Sequence, residues 1–224
     1  MMRSWGNRSD TFVCDEPLYA HYLLKTELAH PGLSEVIAHH ESDWRKVVSN
    51  LTGPIPEGKR VYYQKHMAHH LLPEIERNWM DQLTHVFLIR DPAEMLPSLT
   101  KFFRPTLSDT GLPQQVEIFE SERARCGALP PVIDAKDVLE NPKKLLGALC
   151  DILGLEFEDS MLSWNAGRRE TDGIWAKHWY AAVEKSTGFE PYRAPRDAVP
   201  FELQPLLEEC KALYHQLYQH RLMP

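Results

Sequence analysis

Three apolar runs decide the fold of this chain: Arg60-Val61-Tyr62-Tyr63-Gln64, His85-Val86-Phe87-Leu88-Ile89 and Pro131-Val132-Ile133-Asp134. Each run is short and rich in strand-forming residues, which is typical of strands that are buried in a parallel sheet. Each run is also followed by a segment with helical spacing. Strands that alternate with helices predict an α/β fold with a doubly wound, mostly parallel sheet and flanking helices.

The pattern around these runs adds one short strand and several helices. Thr11-Phe12-Val13-Cys14 predicts the extra strand, and Ser34 is predicted to cap the third helix. Asn141 is predicted to cap the helix Pro142–Leu153, which is predicted to end before Gly154. The predicted helical segments are Met1–Arg8, Leu18–Leu28, Ser34–Leu51, Pro73–Leu83, Ala93–Phe102, Pro142–Leu153, Ala176–Glu184 and Val199–Arg221.

Length and composition predict a single domain over residues 1–224. Of the 224 residues, 43% are apolar and 25% are charged, so the chain can bury a sizeable core. Disorder along the whole chain is thereby excluded. Internal repeats and low-complexity stretches are absent from the sequence.

Charge and hydropathy narrow the classes of partner. Asp and Glu number 32 against 25 Lys and Arg, a net charge of -7, which excludes a general nucleic-acid or anionic-membrane surface. No apolar run approaches the ~20 residues of a membrane span, and the start lacks a signal-peptide pattern, so a cytoplasmic location is predicted. The four cysteines are far apart and are predicted to be reduced, structural thiols: Cys14, Cys126, Cys150 and Cys210.

A basic residue comes directly after two of the three main strands, at the strand ends where doubly wound sheets bind their ligands. Lys65-His66 follows the first strand, Arg90-Asp91 the second and Ala135-Lys136 the third. The Arg90 guanidinium and the Ser98 hydroxyl in the next helix are placed to share one phosphate. The alternative is an Asp-Pro helix start with Arg90 in an ordinary surface ion pair.

A histidine directly after a buried strand is well placed to act as a general base, because its pKa lies near neutrality. His66 has this position, and the alternative is a capping or core histidine. Together with His69 and His70 it also raises the possibility of a metal site, but the spacing H-x-x-H-H matches no zinc signature. No metal is therefore predicted.

Two loops complete the candidate site. Gly167–Trp175 is basic and flanked by glycines, and it ends in a tryptophan that either stacks on a ligand or belongs to the core. Phe103–Pro113 combines turn residues with little apolar content, which predicts a mobile loop that can act as a lid.

Taken in order, four segments resemble the sulfotransferases that use 3′-phosphoadenosine 5′-phosphosulfate (PAPS) as sulfuryl donor. Gln64–Pro73 is similar to the family's K-T-H-L-P-x-x-L-L-P segment, and Arg90 and Ser98 have the family's spacing. Val132–Leu155 is similar to the stretch Y-E-D-L-x-x-x-P…F-L-G, and Arg168–Trp175 to the loop R-K-G-x-x-G-x-W. The resemblance covers residues 1–180 approximately and implies a P-loop NTPase-type fold.

The resemblance implies a role for each matched residue. His66 falls on the catalytic histidine, and Lys65 would reach the bridging oxygen of the donor. The 3′-phosphate would be held by Arg90, Ser98, Arg168 and Arg169, and Trp175 lies in the loop that covers the phosphate and the adenine. The implied partner is a small-molecule acceptor with a hydroxyl or an amine. The acceptor's identity and the oligomeric state are left open.

The chain departs from the family in three places. The first strand and its phosphate-binding loop would precede Met1, so we expect a truncated start, poor solubility and impaired transfer. Gln64 replaces a basic residue, and Glu170 stands where the family has glycine. The alternative is a non-catalytic nucleotide-binding or interaction module with the same fold. A P-loop kinase relative is less favoured, because no G-x-x-x-x-G-K-[ST] occurs in the sequence.

Overall fold

The computed structural model describes residues 1–28, 30–194 and 197–223 of the chain. By its contacts the chain divides into two compact units. The first unit comprises residues 1–83 and 158–189, and the second comprises residues 84–157 and 190–224. A single domain over residues 1–224 stays a prediction, and each unit is described by itself.

The described residues form four strands and eleven α-helices. The strands are β1 (Thr11–Asp15), β2 (Val61–Lys65), β3 (Phe87–Ile89) and β4 (Val132–Asp134). The helices are α1 (Met2–Trp5), α2 (Tyr19–Thr26), α3 (Leu33–His39), α4 (Trp44–Leu51), α5 (Pro92–Leu99), α6 (Leu112–Cys126), α7 (Ala135–Glu140), α8 (Pro142–Ile152), α9 (Ala176–Trp179), α10 (Ala181–Lys185) and α11 (Gln204–Tyr218). Short 3-10 helices lie at Pro56–Gly58, Ala68–His70, Asn78–Gln82, Ser108–Thr110, Asp159–Leu162 and Phe201–Leu203.

In the first unit, β1 and β2 form a parallel pair. Thr11 is paired with Val61 and Asp15 with Lys65, without any offset along the five residues. A parallel pair needs a crossover connection, which α2, α3 and α4 provide. Because both strands run in the same direction, their carboxyl ends place Asp15 beside Lys65 at one edge of the sheet.

In the second unit, β3 and β4 form the other parallel pair, with Phe87 opposite Val132 and Ile89 opposite Asp134. All three residues of β4 are buried, as expected for a strand that is covered on both faces. The core of this unit consists of fully buried side chains on its strands and helices: Ile89, Leu96, Phe119, Ile133, Leu145, Leu146, Leu149 and Leu217.

The predicted α/β class and the parallel pairing of the strands are confirmed. All four predicted strands are present, with ends shifted by one or two residues. The described strands lie in two sheets of two strands each, so the doubly wound arrangement stays a prediction. Two helices, α6 and α7, were not predicted; α6 begins at Leu112, within the last two residues of the predicted lid segment, which also contains the 3-10 helix Ser108–Thr110.

Three predicted helices are broken or replaced in the structure. The predicted helix Ala176–Glu184 is divided at Tyr180 into α9 and α10. Residues 73–83 form only the 3-10 helix Asn78–Gln82, and Asn and Asp in such a segment compete with helical hydrogen bonds through their own side chains. The predicted helix 34–51 is broken at His40, which is extended. Asp43 then caps α4 by accepting a hydrogen bond from the Arg45 N–H at 3.0 Å. Ser34 lies inside α3, whose cap is Gly32 in the left-handed region, so it is not the cap.

Two further findings concern the length of the helices and the state of the cysteines. Among the described residues, no helix is both long enough and apolar enough to span a membrane. The four cysteines are free thiols, of which Cys150 and Cys210 are buried, Cys14 is half-buried and Cys126 is exposed.

Candidate functional site

Two carboxylates and one ammonium meet at the carboxyl ends of β1 and β2. The Lys65 Nζ donates to Asp15 Oδ1 at 3.1 Å and to Glu16 Oε1 at 2.5 Å. Glu16 has a φ of 41°, a left-handed conformation that is uncommon outside glycine and that indicates local strain. The Glu16 N–H donates to the Lys65 carbonyl at 2.9 Å, which fixes this conformation at the edge of the sheet.

Tyr180 closes this group of charges from the opposite side. Its hydroxyl lies 2.8 Å from each oxygen of Asp15 and accepts a hydrogen bond from Lys65 Nζ at 2.6 Å. The Gly173 N–H donates to Asp15 Oδ2 at 3.4 Å. We call Asp15, Glu16, Lys65 and Tyr180 the tip cluster. It joins the strand ends to the segment around α9 and α10.

The tip cluster carries more acid than base. Burial raises the pKa of Glu16, against the opposing attraction of Lys65. Burial alone would lower the pKa of Lys65, but the carboxylates of Glu16 and Asp15 outweigh it, so this pKa lies above its usual value. Lys65 is therefore charged at neutral pH, and both of its charged partners are carboxylates.

His66 follows Lys65 directly at the end of β2 and is half-buried. Its Nε2 lies 3.3 Å from the Gln64 side-chain oxygen, and its ring centroid lies 6.0 Å from that of Trp79. A ring that is held by a strand end and a neighbouring aromatic group has a fixed position, which a general base needs.

Buried aromatic rings lie around the next two histidines. The His70 ring stacks on Tyr19 at 5.0 Å and on Tyr22 at 4.6 Å. Among the described residues its Nδ1 has no hydrogen-bond partner. Burial, together with the nearby His69 and Lys65, lowers the pKa of His70 well below its usual value. His70 is therefore a neutral core residue at pH 7.

This environment predicts that acid destabilises the first unit. The unfolded chain takes up a proton at His70 near pH 6.5, whereas the folded chain does so only at lower pH. The free energy of unfolding should therefore fall below pH 6.5, by up to about 1.4 kcal/mol per pH unit for this group. Urea unfolding at pH 7 and pH 5 measures the difference.

The control pair separates His70 from the other titrating groups. His70→Phe retains a flat ring between the two tyrosines and should show a smaller fall in stability between pH 7 and pH 5 than the parent chain. His39→Phe changes an exposed histidine and should leave the fall unchanged. An equal fall in the parent and in His70→Phe would contradict the assignment.

The basic loop is anchored by a buried ion pair. Both terminal nitrogens of Arg3 donate to the Asp172 carboxylate, one of them at 2.7 Å, and the side chains are 5% and 0% exposed. The Arg169 N–H also donates to Asp172, at 2.8 Å. Arg168 is exposed and has no hydrogen bond or ion pair among the described residues, whereas the Arg169 guanidinium donates to the Asn165 carbonyl at 2.8 Å.

Trp175 ends this loop and is only 2% exposed. Its ring packs edge-on against Tyr19 at 5.0 Å and lies 4.9 Å from His40. A Cβ at Gly173 would lie 2.1 Å from the Trp175 ring, so glycine is required there. In this conformation Trp175 is a core residue, and its contact with a nucleotide stays a prediction.

Arg90 and Ser98 lie in the second unit. Arg90 is exposed at the end of β3, and its Nε lies 3.3 Å from Glu94 on α5. Glu94 also accepts a hydrogen bond from the Tyr192 hydroxyl at 2.6 Å. Ser98 is exposed on α5. Asp91 caps this helix by accepting from the Ala93 N–H at 2.8 Å, as the Asp-Pro sequence indicates.

The first unit thus contains Lys65, His66, Arg168, Arg169 and Trp175, whereas Arg90 and Ser98 belong to the second. Sequence reasoning missed three members of the tip cluster, namely Asp15, Glu16 and Tyr180. Among the described residues there is no group of three or more His, Cys, Asp or Glu that could hold a metal ion.

Comparisons with known proteins place this site in context. A family model described as a sulfotransferase domain matches residues 1–219. Two curated proteins of Arabidopsis thaliana, named branched-chain-amino-acid aminotransferase-like protein 1 and protein 2, are 38% and 36% identical to the chain over 222 residues. These alignments cover 98% of this chain but 39% of each relative, so the chain spans well under half of their length.

Two solved structures are also similar. The sulfotransferase domain from the curacin biosynthetic pathway has a TM-score of 0.39 and 16% identity, covering 92% of this chain and 79% of that one. The sulfotransferase domain from the Synechococcus PCC 7002 olefin synthase has a TM-score of 0.46 and 14% identity, covering 89% and 93%.

Proposed function

The chain belongs to the sulfotransferase domain family, and from this premise we propose that it transfers a sulfuryl group from PAPS to a hydroxyl or amine of a small-molecule acceptor. The observation that carries the proposal is the position of Lys65 and His66 directly at the carboxyl end of a parallel strand. This is the end at which open α/β sheets bind their ligands.

His66 has the role of general base in this proposal. Its ring nitrogen takes the proton of the acceptor, while the acceptor oxygen or nitrogen forms a bond to sulfur. The bond between sulfur and the bridging oxygen of the 5′-phosphate breaks, and its electron pair stays on the phosphate. When it is bound, PAPS supplies the sulfuryl group and leaves as adenosine 3′,5′-bisphosphate. Catalysis then depends on positioning and on stabilising charge, as in phosphoryl transfer.

The residues proposed for the donor fit an anionic ligand. Arg90 and Arg168 are exposed guanidinium groups, and Ser98 is an exposed hydroxyl. Such groups, Arg169 included, donate charge-assisted hydrogen bonds to phosphates, and each of them is proposed separately as a contact of the 3′-phosphate.

Lys65 differs from these groups, because Asp15, Glu16 and Tyr180 already accept from its ammonium. Lys65 can donate to the bridging oxygen of the donor only after one of these three acceptors has been released. Trp175 contacts adenine only if it leaves its buried position.

The Lys65 ammonium already donates to Asp15, Glu16 and Tyr180. For this reason we also consider a second function, that of a nucleotide-binding module without transfer activity. Two measurements on the same preparation separate the two functions: calorimetry with adenosine 3′,5′-bisphosphate, and transfer of labelled sulfate from PAPS to a broad pool of hydroxyl and amine acceptors. Binding with transfer supports the enzyme. Binding without transfer supports the module, and the absence of both contradicts the proposal.

Arg90→Ala tests the donor site. We expect it to weaken the binding of adenosine 3′,5′-bisphosphate by about 1.5–3 kcal/mol, the contribution of hydrogen bonds to a charged group. Calorimetry measures this loss. Arg123→Ala, which removes an exposed arginine from α6, serves as the matched control and should leave the affinity unchanged. Unchanged affinity in Arg90→Ala would remove Arg90 from the site.

A further inference from the structure

A cavity of about 360 Å³ lies in the first unit, at the amino ends of β1 and β2. Thr11, Phe12 and Val13 of β1 line it, together with Lys59, which precedes β2. It is therefore at the opposite end of these strands from Lys65 and His66. Its volume falls within the range of ~300–1,000 Å³ that is typical of sites for small molecules.

Two arginines that line this cavity, Arg3 and Arg8, are already paired with carboxylates. Arg3 is paired with Asp172. Arg8 is paired with Asp10 at 2.9 Å and with Glu158 at 3.3 Å. The carboxylates that are paired with these arginines disfavour the binding of a polyanion such as a nucleotide, because each carboxylate would repel the negative charges of the ligand.

Among the described residues, charged side chains of both signs that line the cavity lack an opposite partner. The ammonium of the half-buried Lys59 donates there to the Ser9 carbonyl, at 3.0 Å, and forms no ion pair with a described residue. Glu57 and Glu170 are exposed, and among the described residues neither of them has an ion pair or a hydrogen bond. Glu57 is held at a φ of 58°, a strained conformation for a residue other than glycine.

The cavity also has an apolar wall. Met2 and Val13 line it and are both buried. The Val13 side chain faces Gly6 at the end of α1, where a Cβ on Gly6 would lie 3.3 Å from both Val13 methyl groups. The side chain of Phe12, the preceding residue of β1, points to the other face of the sheet.

We propose that this cavity binds an α-amino acid with an apolar side chain. The carboxylate of the ligand accepts hydrogen bonds from Lys59, its ammonium pairs with Glu57 and Glu170, and its side chain contacts Met2 and Val13. Lys59 offers one positive charge, and Glu57 and Glu170 offer two negative charges. A ligand that carries charges of both signs, a zwitterion, matches this set better than a simple anion does. Arg169 also lines the cavity, but it is assigned above to the donor, so the test does not rely on it.

Calorimetry of the 224-residue chain with L-leucine tests this site. Two analogues each lack one charge: 4-methylpentanoic acid has no ammonium, and 3-methylbutylamine has no carboxylate. We expect each analogue to bind at least about tenfold more weakly than leucine, as expected for the loss of a charged hydrogen bond. Absence of leucine binding, or equal binding of 4-methylpentanoic acid, would overturn the proposal.

Variants connect the binding to the cavity. Lys59→Met should weaken leucine binding at least about tenfold, and Glu57→Gln should reduce the preference for leucine over 4-methylpentanoic acid. Lys46→Met, an exposed change on α4, is the matched control. The affinity for adenosine 3′,5′-bisphosphate should stay unchanged in Lys59→Met. Unchanged leucine binding in Lys59→Met, or a loss of nucleotide binding that equals the loss of leucine binding, would overturn the assignment.

Discussion

Replacing His66 with alanine is expected to lower the rate of sulfuryl transfer at least about 10²-fold and to leave the nucleotide affinity nearly unchanged. The reason is that a general base acts on the acceptor, whereas the donor is held by the phosphate-binding residues. Labelled-sulfate transfer measures the rate, and calorimetry with adenosine 3′,5′-bisphosphate measures the affinity. A chain without His66 still holds Lys65 in the tip cluster, because the contacts of that cluster do not include His66.

Two controls distinguish a base from a structural residue. Added imidazole should restore part of the rate to His66→Ala, since a small base can occupy the space of the lost ring, and a structural defect would not respond. His39→Ala removes an exposed histidine and should retain the parent rate. If nucleotide affinity fell as far as the rate, His66 would be a structural residue and the proposed mechanism would need another base.

Asp172→Asn is expected to reduce the free energy of unfolding by about 3–5 kcal/mol, the typical cost of leaving a buried charge without its partner. Asp172 and Arg3 are almost fully buried, and Asp172 also accepts from the Arg169 N–H. Burial alone would raise the pKa of Asp172, but the hydrogen bonds from Arg3 and from the Arg169 N–H, with the positive charge of Arg3, outweigh it, so this pKa lies below its usual value and the group is a carboxylate at pH 7. Urea unfolding at pH 7 measures the loss.

The double variant Arg3→Met/Asp172→Leu provides the matched control. Apolar side chains of similar size remove both charges together, and such replacements of a buried ion pair are often close to neutral. We therefore expect the double variant to be more stable than Asp172→Asn alone. A double variant at least as destabilised as the single one would show that Asp172 acts through its contact with Arg169 and not through the ion pair.

The strands could be predicted from their apolar runs, but of the three main strands only β4 is buried as predicted. All residues of β2 are half-buried, and Leu88 of β3 is 42% exposed. Val132-Ile133-Asp134 is fully buried, and a run of apolar residues is the simplest signal of such a strand. The segment before Leu83 misled the same reasoning, because Ile75, Trp79 and Met80 are buried at a nearly helical spacing, although Trp79 and Met80 lie in the 3-10 helix Asn78–Gln82 and Ile75 lies in a separate turn before it. Spacing alone does not distinguish these two ways of burying three side chains.

The candidate site could be predicted only where a residue follows an obvious strand. Lys65 and His66 fulfil this condition. Asp15 is the last residue of β1 and Glu16 follows it, so their place at a strand end is the sequence signal that identifies them. Tyr180 is 115 residues away from Lys65 in the sequence and comes from a helical segment, so only the folded structure reveals its contact.

The parallel pairing of β1 with β2 also determines when the first sheet can form. Each residue of β1 pairs with the residue of β2 that lies 50 positions later in the chain. β3 and β4 are also far apart in the sequence and are joined through the intervening helices. No hairpin can start either sheet, so the entropy of closing a long loop opposes the first contact. Folding should therefore be slower than in a helical bundle of this length, with helices forming before strands pair. During synthesis, β1 cannot pair with β2 until residue 65 has left the ribosome, so this pairing comes late relative to the emergence of β1 itself.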